Sequence, residues 1–315
     1  MDETNDVFKD LIGLDNTKRK LNFYLKNYQN TYISPNLLLY SAKGCGKTSL
    51  ARKYASALTT KSDKTKIKKY IEINSSTIDD IDSFFGIVNN HLVDQDCTVF
   101  FDEAETIEDD LSLTLCSILN PNKDNINYFN YNGNNYVFDF SRLTFIFAST
   151  EIQKIHHALL DRLNIIDFDD YKISDLAKII QKNLSDYKIE DGLLDMVATV
   201  VRGNPRQAQK LSNDIIAYLK SKSNKQFTKN DWINIRYQLN INDYGLTASE
   251  IKVLQILKDN PNGVSLTKVS SILGSTAENC RKFIELYPLK LGLFEVRPAI
   301  GRVLTAKGYE IANKL

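Results

Sequence analysis

The sequence predicts an α/β domain built on a parallel sheet, followed by an all-α segment and a C-terminal winged helix-turn-helix. Three observations carry this. Up to about residue 170, short apolar runs alternate with amphipathic stretches of helical spacing, the pattern of strands joined by crossover helices. From Tyr171 to about Leu239 only helical spacing remains. The remainder reads as three helices, two short strands around a turn and a final helix, which is the winged form of the helix-turn-helix. The expected domains are therefore 1–170, 171–240 and 241–315.

The strands of the first domain are "NLLLY", "KYIEIN", "CTVFFDE" and "LTFIFAST", each short, rich in aromatic or β-branched residues and bounded by polar ones. "TSLARKYASAL" and "DDIDSFFGIVNNHL" have helical spacing. In "INYFNYNGNNYVFDF", Asn132-Gly133 separates two strand-like arms and predicts a hairpin. The aromatics of that hairpin, Tyr128, Phe129, Tyr131 and Tyr136, suit either a partner surface or the protein's own core.

The whole chain sets limits on function. Its 315 residues are 43% apolar, enough for a substantial core. A net charge of +1 leaves nucleic-acid contact to local patches. Cys45, Cys97, Cys116 and Cys280 are scattered, with neither a disulfide framework nor a zinc spacing. No apolar run reaches membrane-spanning length, and the polar start "MDETNDVFKD" is unlike a secretory signal, so a cytoplasmic protein is expected. The basic run "TTKSDKTKIKKY" reads as a solvated loop before a strand.

The turn "SAKGCGKT" between the first strand and a helix has the form of a phosphate-binding loop. Backbone N–H groups of Gly44, Cys45, Gly46, Lys47, Thr48 and Ser49 would cradle phosphate at the positive end of the helix. Lys47 would reach the β and γ phosphates of ATP, and the Thr48 hydroxyl would hold Mg²⁺. Ser41 stands where the pattern begins with glycine, and a loop that needs glycine's backbone freedom there would be disabled. "CTVFFDEAE" ends a strand in Asp102, which can orient Mg²⁺, and Glu103, which can polarise an attacking water. The strand "LTFIFAST" ends in Ser149 and Thr150, where a hydroxyl can touch the γ-phosphate or that water.

In order and spacing these motifs resemble the AAA+ ATPases, and within them the RuvB family of Holliday-junction branch-migration motors. The resemblance runs along nearly the whole chain, from "FKDLIGLDNTKRKL" to "GRVLTAKGYE". It implies that Ile12 and Tyr171 border adenine, that Thr150 is sensor 1 and that Arg206 in "RGNPRQA" is sensor 2. It makes Arg162 in "ALLDRLNI" an arginine finger acting on a neighbour's ATP, within a hexameric ring. It places the docking of a RuvA-like junction-binding protein on the 126–140 hairpin. The family carries two arginines around a glycine in the wing; here Arg297 and Arg302 are the candidates for contact with double-stranded DNA and four-way junctions. Lys282, Lys290 and Lys307 are further phosphate candidates. Two other readings share this architecture: a replication initiator using ATP as a binding switch, and a regulatory relic with little turnover.

Overall fold

The computed structural model describes residues 7–223 and 225–315. It divides into two compact units: one holds the chain up to Asp175 together with Asn204–Arg206, the other Leu176–Gly203 and Gln207–Leu315.

The first unit contains the helices α1 (Asp15–Thr31), α2 (Lys47–Ala55), α3 (Ile81–His91), α4 (Asp109–Ile118) and α5 (His157–Leu160). Its strands are β1 (Leu37–Tyr40), β2 (Lys69–Asn74), β3 (Cys97–Asp102), β4 (Ile126–Tyr131), β5 (Asn134–Asp139), β6 (Leu143–Ser149) and β7 (Asn164–Asp167). Five of them form a parallel sheet in the order β2-β3-β6-β1-β7, and β4 and β5 form a separate antiparallel hairpin. Strands β3 and β6 are apolar almost throughout because helices cover both faces of a parallel sheet. Leu38, Phe101 and Phe147 pack on one side with Phe84 and Leu115. Leu39, Phe100 and Ile146 pack on the other with Leu21 and Leu50. Each such burial contributes about 1.5–3 kcal/mol.

Strand β7 has no counterpart among the expected strands. It is an edge strand in which only Ile166 is buried, so it lacks a recognisable period. Its continuation serves α1, whose N-cap position, Leu14, is left-handed and offers no side-chain cap. Asp169 fills that role, accepting from the backbone N–H groups of Asn16 (2.8 Å) and Thr17 (3.2 Å). Partial burial pushes the Asp169 carboxyl up, but these bonds outweigh it and hold the group below the usual range.

The hairpin turns on Asn132 and Gly133, both with positive φ, as its sequence requires. Its aromatics divide between core and surface. The Phe85 ring of α3 stacks on Tyr131 at 4.1 Å and contacts Phe129 and Tyr136. Tyr128 and its cross-strand partner Val137 instead face solvent, 67% and 57% exposed. The basic run before β2 is not solvated throughout: Thr60 and Lys68 are buried. Lys68 donates to the Ser141 carbonyl (3.0 Å) and lies 5.1 Å from the Tyr28 ring centre. Burial drives its ammonium down to about 8.

In the helical segment, α6 (Ile173–Asn183) is followed by α7 (Leu193–Val200), α8 (Pro205–Ser221) and α9 (Lys229–Leu239). It is not wholly α-helical: β8 (Lys188–Ile189) and β9 (Gln226–Phe227) form a parallel pair too short to leave a sequence pattern. The winged helix comprises α10 (Ala248–Lys258), α11 (Leu266–Leu273), α12 (Ala277–Asn279), α13 (Leu286–Lys290), β10 (Phe294–Arg297), β11 (Gly301–Leu304) and α14 (Ala306–Lys314). The third expected helix is interrupted by a π-helical turn at Cys280–Ile284, closed by the Glu285 N–H on the Cys280 carbonyl at 2.8 Å. Both parts share the second unit. Arg202 bonds the buried Glu250 at 2.5 Å and lies over the Tyr287 ring.

The structure corrects the expectation for Arg302. It is 8% exposed, and its Nε and Nη2 donate to the two carboxylate oxygens of Glu285 at 2.8 and 3.0 Å. The guanidinium is committed to a buried, bidentate ion pair and is not presented to phosphate. Removing one member of such a pair leaves the other buried and uncompensated. Arg302→Ala is therefore expected to cost about 3–5 kcal/mol of stability, read by urea unfolding. Joint replacement by Arg302→Met and Glu285→Leu should recover most of that loss. A loss under about 1 kcal/mol in the single variant would show that the pair is not buried as described.

Candidate active site

Because β6 lies between β1 and β3, their C-terminal ends bring three segments to one edge of the sheet. These are the loop after β1, the acidic pair at the end of β3 and Thr150 after β6, and such an edge is where open α/β sheets bind ligands.

The loop leads into α2 through Gly46, left-handed at φ 93°. Gly44 is left-handed as well, and a Cβ there would lie 2.6 Å from the Asn204 side chain. Asn204 donates to the Lys43 carbonyl (2.8 Å) and the Arg206 N–H to the Gly44 carbonyl (3.2 Å), so Asn204–Arg206 close directly on the loop within the first unit. Ser41 is not left-handed. Its position makes no demand that only glycine could meet, which removes the physical ground for a disabled loop. Lys47 Nζ donates to the carbonyls of Ser41 (2.8 Å) and Ala42 (3.3 Å) across the loop. Burial lowers its pKa; Cys45, Asp102 and Glu105 pull it back up, and Arg206 adds to the depression.

Thr48 Oγ1 donates to Asp102 Oδ2 at 3.3 Å. A hydroxyl and a carboxylate facing each other are the hard oxygen donors that Mg²⁺ takes. Glu103 donates its N–H to Asp102 Oδ1 (3.0 Å), and its backbone is left-handed at φ 56°. That conformation is uncommon in a residue with a side chain and costs about 1–3 kcal/mol. It leaves the Glu103 side chain exposed at the sheet edge.

Thr150 has a partner that sequence reasoning missed. Glu105 Oε1 accepts from the Thr150 N–H (3.1 Å) and from its hydroxyl (2.7 Å). Burial pushes the Glu105 carboxyl up, but the Thr150 bonds and the Ser149 hydroxyl outweigh it and hold the group below its usual range. Proximity of Glu105 to Thr150 depends on strand pairing, which no local motif encodes.

Tyr171 donates its hydroxyl to the Cys45 carbonyl at 3.2 Å, and burial raises its pKa. Its ring lies 3.2 Å from where a Cβ on Gly13 would stand, beside the half-buried Ile12. Arg162 follows α5, with Nε on the Cys116 carbonyl and Nη1 on the Ala158 carbonyl, both at 2.7 Å. Arg297 is exposed in the second unit, its Nε on Glu295 at 2.7 Å.

Two family models match the chain. Residues 37–170 match the model of the ATPase family associated with various cellular activities (AAA), and residues 243–313 match that of the RuvB C-terminal winged helix domain. The Holliday junction branch migration complex subunit RuvB of Thermotoga maritima is 26% identical, across 96% of this chain and 89% of that protein. This chain is RuvB-like. The RuvB subunit of Ureaplasma urealyticum is likewise 26% identical, across 98% and 97% of the two chains. The solved structure of the Thermotoga maritima RuvB Holliday junction branch migration motor superposes with a TM-score of 0.77 at 24% identity, covering 98% of this chain and 97% of that one, which supports the fold. The part of this RuvB-like chain that matches the AAA model holds Lys47, Thr48, Asp102 and Thr150 along one sheet edge. Among the described residues, no helix is long and apolar enough to cross a membrane.

Proposed function

We propose that this RuvB-like chain is the ATP-driven motor subunit that moves Holliday junctions in recombination and repair. One observation supports the reading: a chain matching RuvB subunits along almost their whole length brings Lys47, Thr48, Asp102 and Thr150 to one sheet edge. Lys47 and the loop N–H groups of Gly44 to Ser49 hold the phosphates of ATP, while Ile12 and Tyr171 border the base. Thr48 and Asp102 would hold Mg²⁺, which would supply charge neutralisation for the phosphates. Glu103 takes a proton from the attacking water as its oxygen bonds to the γ phosphorus and ADP leaves. Arg206 lies on the loop and answers to nucleotide state. Arg162 acts on the nucleotide of the next subunit in a hexameric ring.

Residues 1–170 serve as motor, 171–240 as lid and 241–315 as the DNA-contacting part, and the protein works in the cytoplasm. Arg297 is the remaining wing arginine for DNA backbone contact, since Arg302 is paired inside. Tyr128 and Val137, exposed and opposite each other on the hairpin, are the apolar surface for a RuvA-like partner.

The test is ATPase and branch migration on a synthetic four-way junction, with and without the cognate junction-binding protein. The proposal expects partner-stimulated turnover and strand exchange, and DNA affinity that falls steeply with salt on any sequence. ATP binding without turnover, together with preference for one short duplex sequence, would favour the initiator reading and overturn this one.

A further inference from the structure

The contact between Glu105 and Thr150 has a chemical consequence for hydrolysis. A threonine hydroxyl has one proton to donate and two lone pairs that accept. In this structure the Thr150 proton is directed to Glu105 Oε1 at 2.7 Å, and the Thr150 N–H reinforces the same oxygen at 3.1 Å. The Thr150 oxygen is left as an acceptor. The oxygens of a γ-phosphate are acceptors too and gain nothing from it, whereas a water molecule has protons to offer.

The hydrogen bonds to Oε1 hold the Glu105 carboxyl below its usual range, and its charge raises the pKa of Lys47.

We infer that Glu105 is a positioning residue for hydrolysis: it fixes the Thr150 hydroxyl as an acceptor, so that Thr150 and Glu103 together orient the attacking water. The water gives one hydrogen bond to Thr150 Oγ1 and the other to the Glu103 carboxylate. Its lone pair then faces the γ phosphorus. The new bond forms between water oxygen and phosphorus, the bond from phosphorus to the bridging oxygen of ADP breaks, and the proton passes to Glu103. Glu105 itself touches neither phosphorus nor leaving group. This rests on the assignment of Thr150 and Glu103 to the hydrolytic site.

The experiment compares Glu105→Ala, Glu105→Asp, Glu105→Gln, Thr150→Val and the Glu105→Ala/Thr150→Val double variant in the full chain. Affinity for a fluorescent ATP analogue and steady-state ATPase are measured on each. Glu105→Ala is expected to keep its nucleotide affinity and lose about tenfold to a hundredfold in kcat, the scale of a misplaced reacting group. Glu105→Asp, one methylene short of Thr150, should lose turnover as well. Glu105→Gln, whose amide oxygen can still accept from Thr150, should recover most of the rate. The double variant should be no slower than Thr150→Val alone, because both changes break one unit. Wild-type turnover in Glu105→Ala or Glu105→Asp overturns the inference, as do losses that multiply in the double variant. If Thr150→Val and Glu103→Gln both hydrolyse normally, the site assignment itself has failed.

Discussion

Glu103→Gln protein is expected to bind ATP as tightly as the parent and to hydrolyse it about 10²–10⁴-fold more slowly, the usual contribution of a positioned base. The amide has the size of the carboxylate but does not accept the proton that the attacking water must lose. The local geometry should survive the change. The left-handed backbone at Glu103 is held by its N–H on Asp102 Oδ1 and by the Thr106 hydroxyl on its carbonyl, at 3.0 and 2.8 Å, and neither bond uses the Glu103 side chain. Lys47→Ala gives the complementary result. It removes the ammonium that spans the loop and should abolish tight binding itself. Equilibrium binding of a labelled analogue, set beside phosphate release, separates the two defects. Parental turnover in Glu103→Gln would remove this residue from the catalytic role.

What could be read in advance follows from how local each signal is. The strands β1, β3 and β6 announce themselves because buried parallel strands are continuous apolar runs, and β2, in which only Ile73 is buried, through its aromatic and β-branched Tyr70, Ile71 and Ile73. The phosphate loop is legible because its function depends on consecutive backbone groups. Strand β7 is silent because only Ile166 is buried. Glu105 could not be assigned because its partner Thr150 comes from another strand end, brought alongside by the pairing of β3 with β6. Arg302 was misjudged for a related reason. An arginine beside a glycine turn reads as exposed, and its neutralising partner Glu285 lies 17 residues earlier, after the π-helical turn. The hairpin aromatics divided because Phe85 on α3 offers a ring for Tyr131, Phe129 and Tyr136, while Tyr128 points to the opposite face. In each case the unread part is a contact between distant segments, and burial decided between two chemically sensible roles.

Arg162→Ala protein is expected to bind ATP normally and to hydrolyse it about 10³–10⁵-fold more slowly, the range for loss of an arginine finger. Within its own chain Arg162 donates to the carbonyls of Cys116 and Ala158, contacts that orient the side chain but involve no residue of the phosphate loop. A finger that acts in trans makes a prediction a merely structural arginine does not. Lys47→Ala protein should be inactive but keeps Arg162; Arg162→Ala protein should be inactive but keeps Lys47. In mixed rings, some interfaces place ATP on an Arg162→Ala subunit beside a Lys47→Ala subunit that supplies the missing guanidinium. Those interfaces contain every catalytic group, so the mixture should regain activity that neither variant shows alone. A finger acting in cis could not be rescued this way, since every subunit able to bind ATP would lack it. Mixed rings verified by differently tagged subunits, yet silent in phosphate release, would reject the trans assignment. Near-parental turnover in Arg162→Ala alone would reduce Arg162 to a support for α4 and α5 through those two carbonyls.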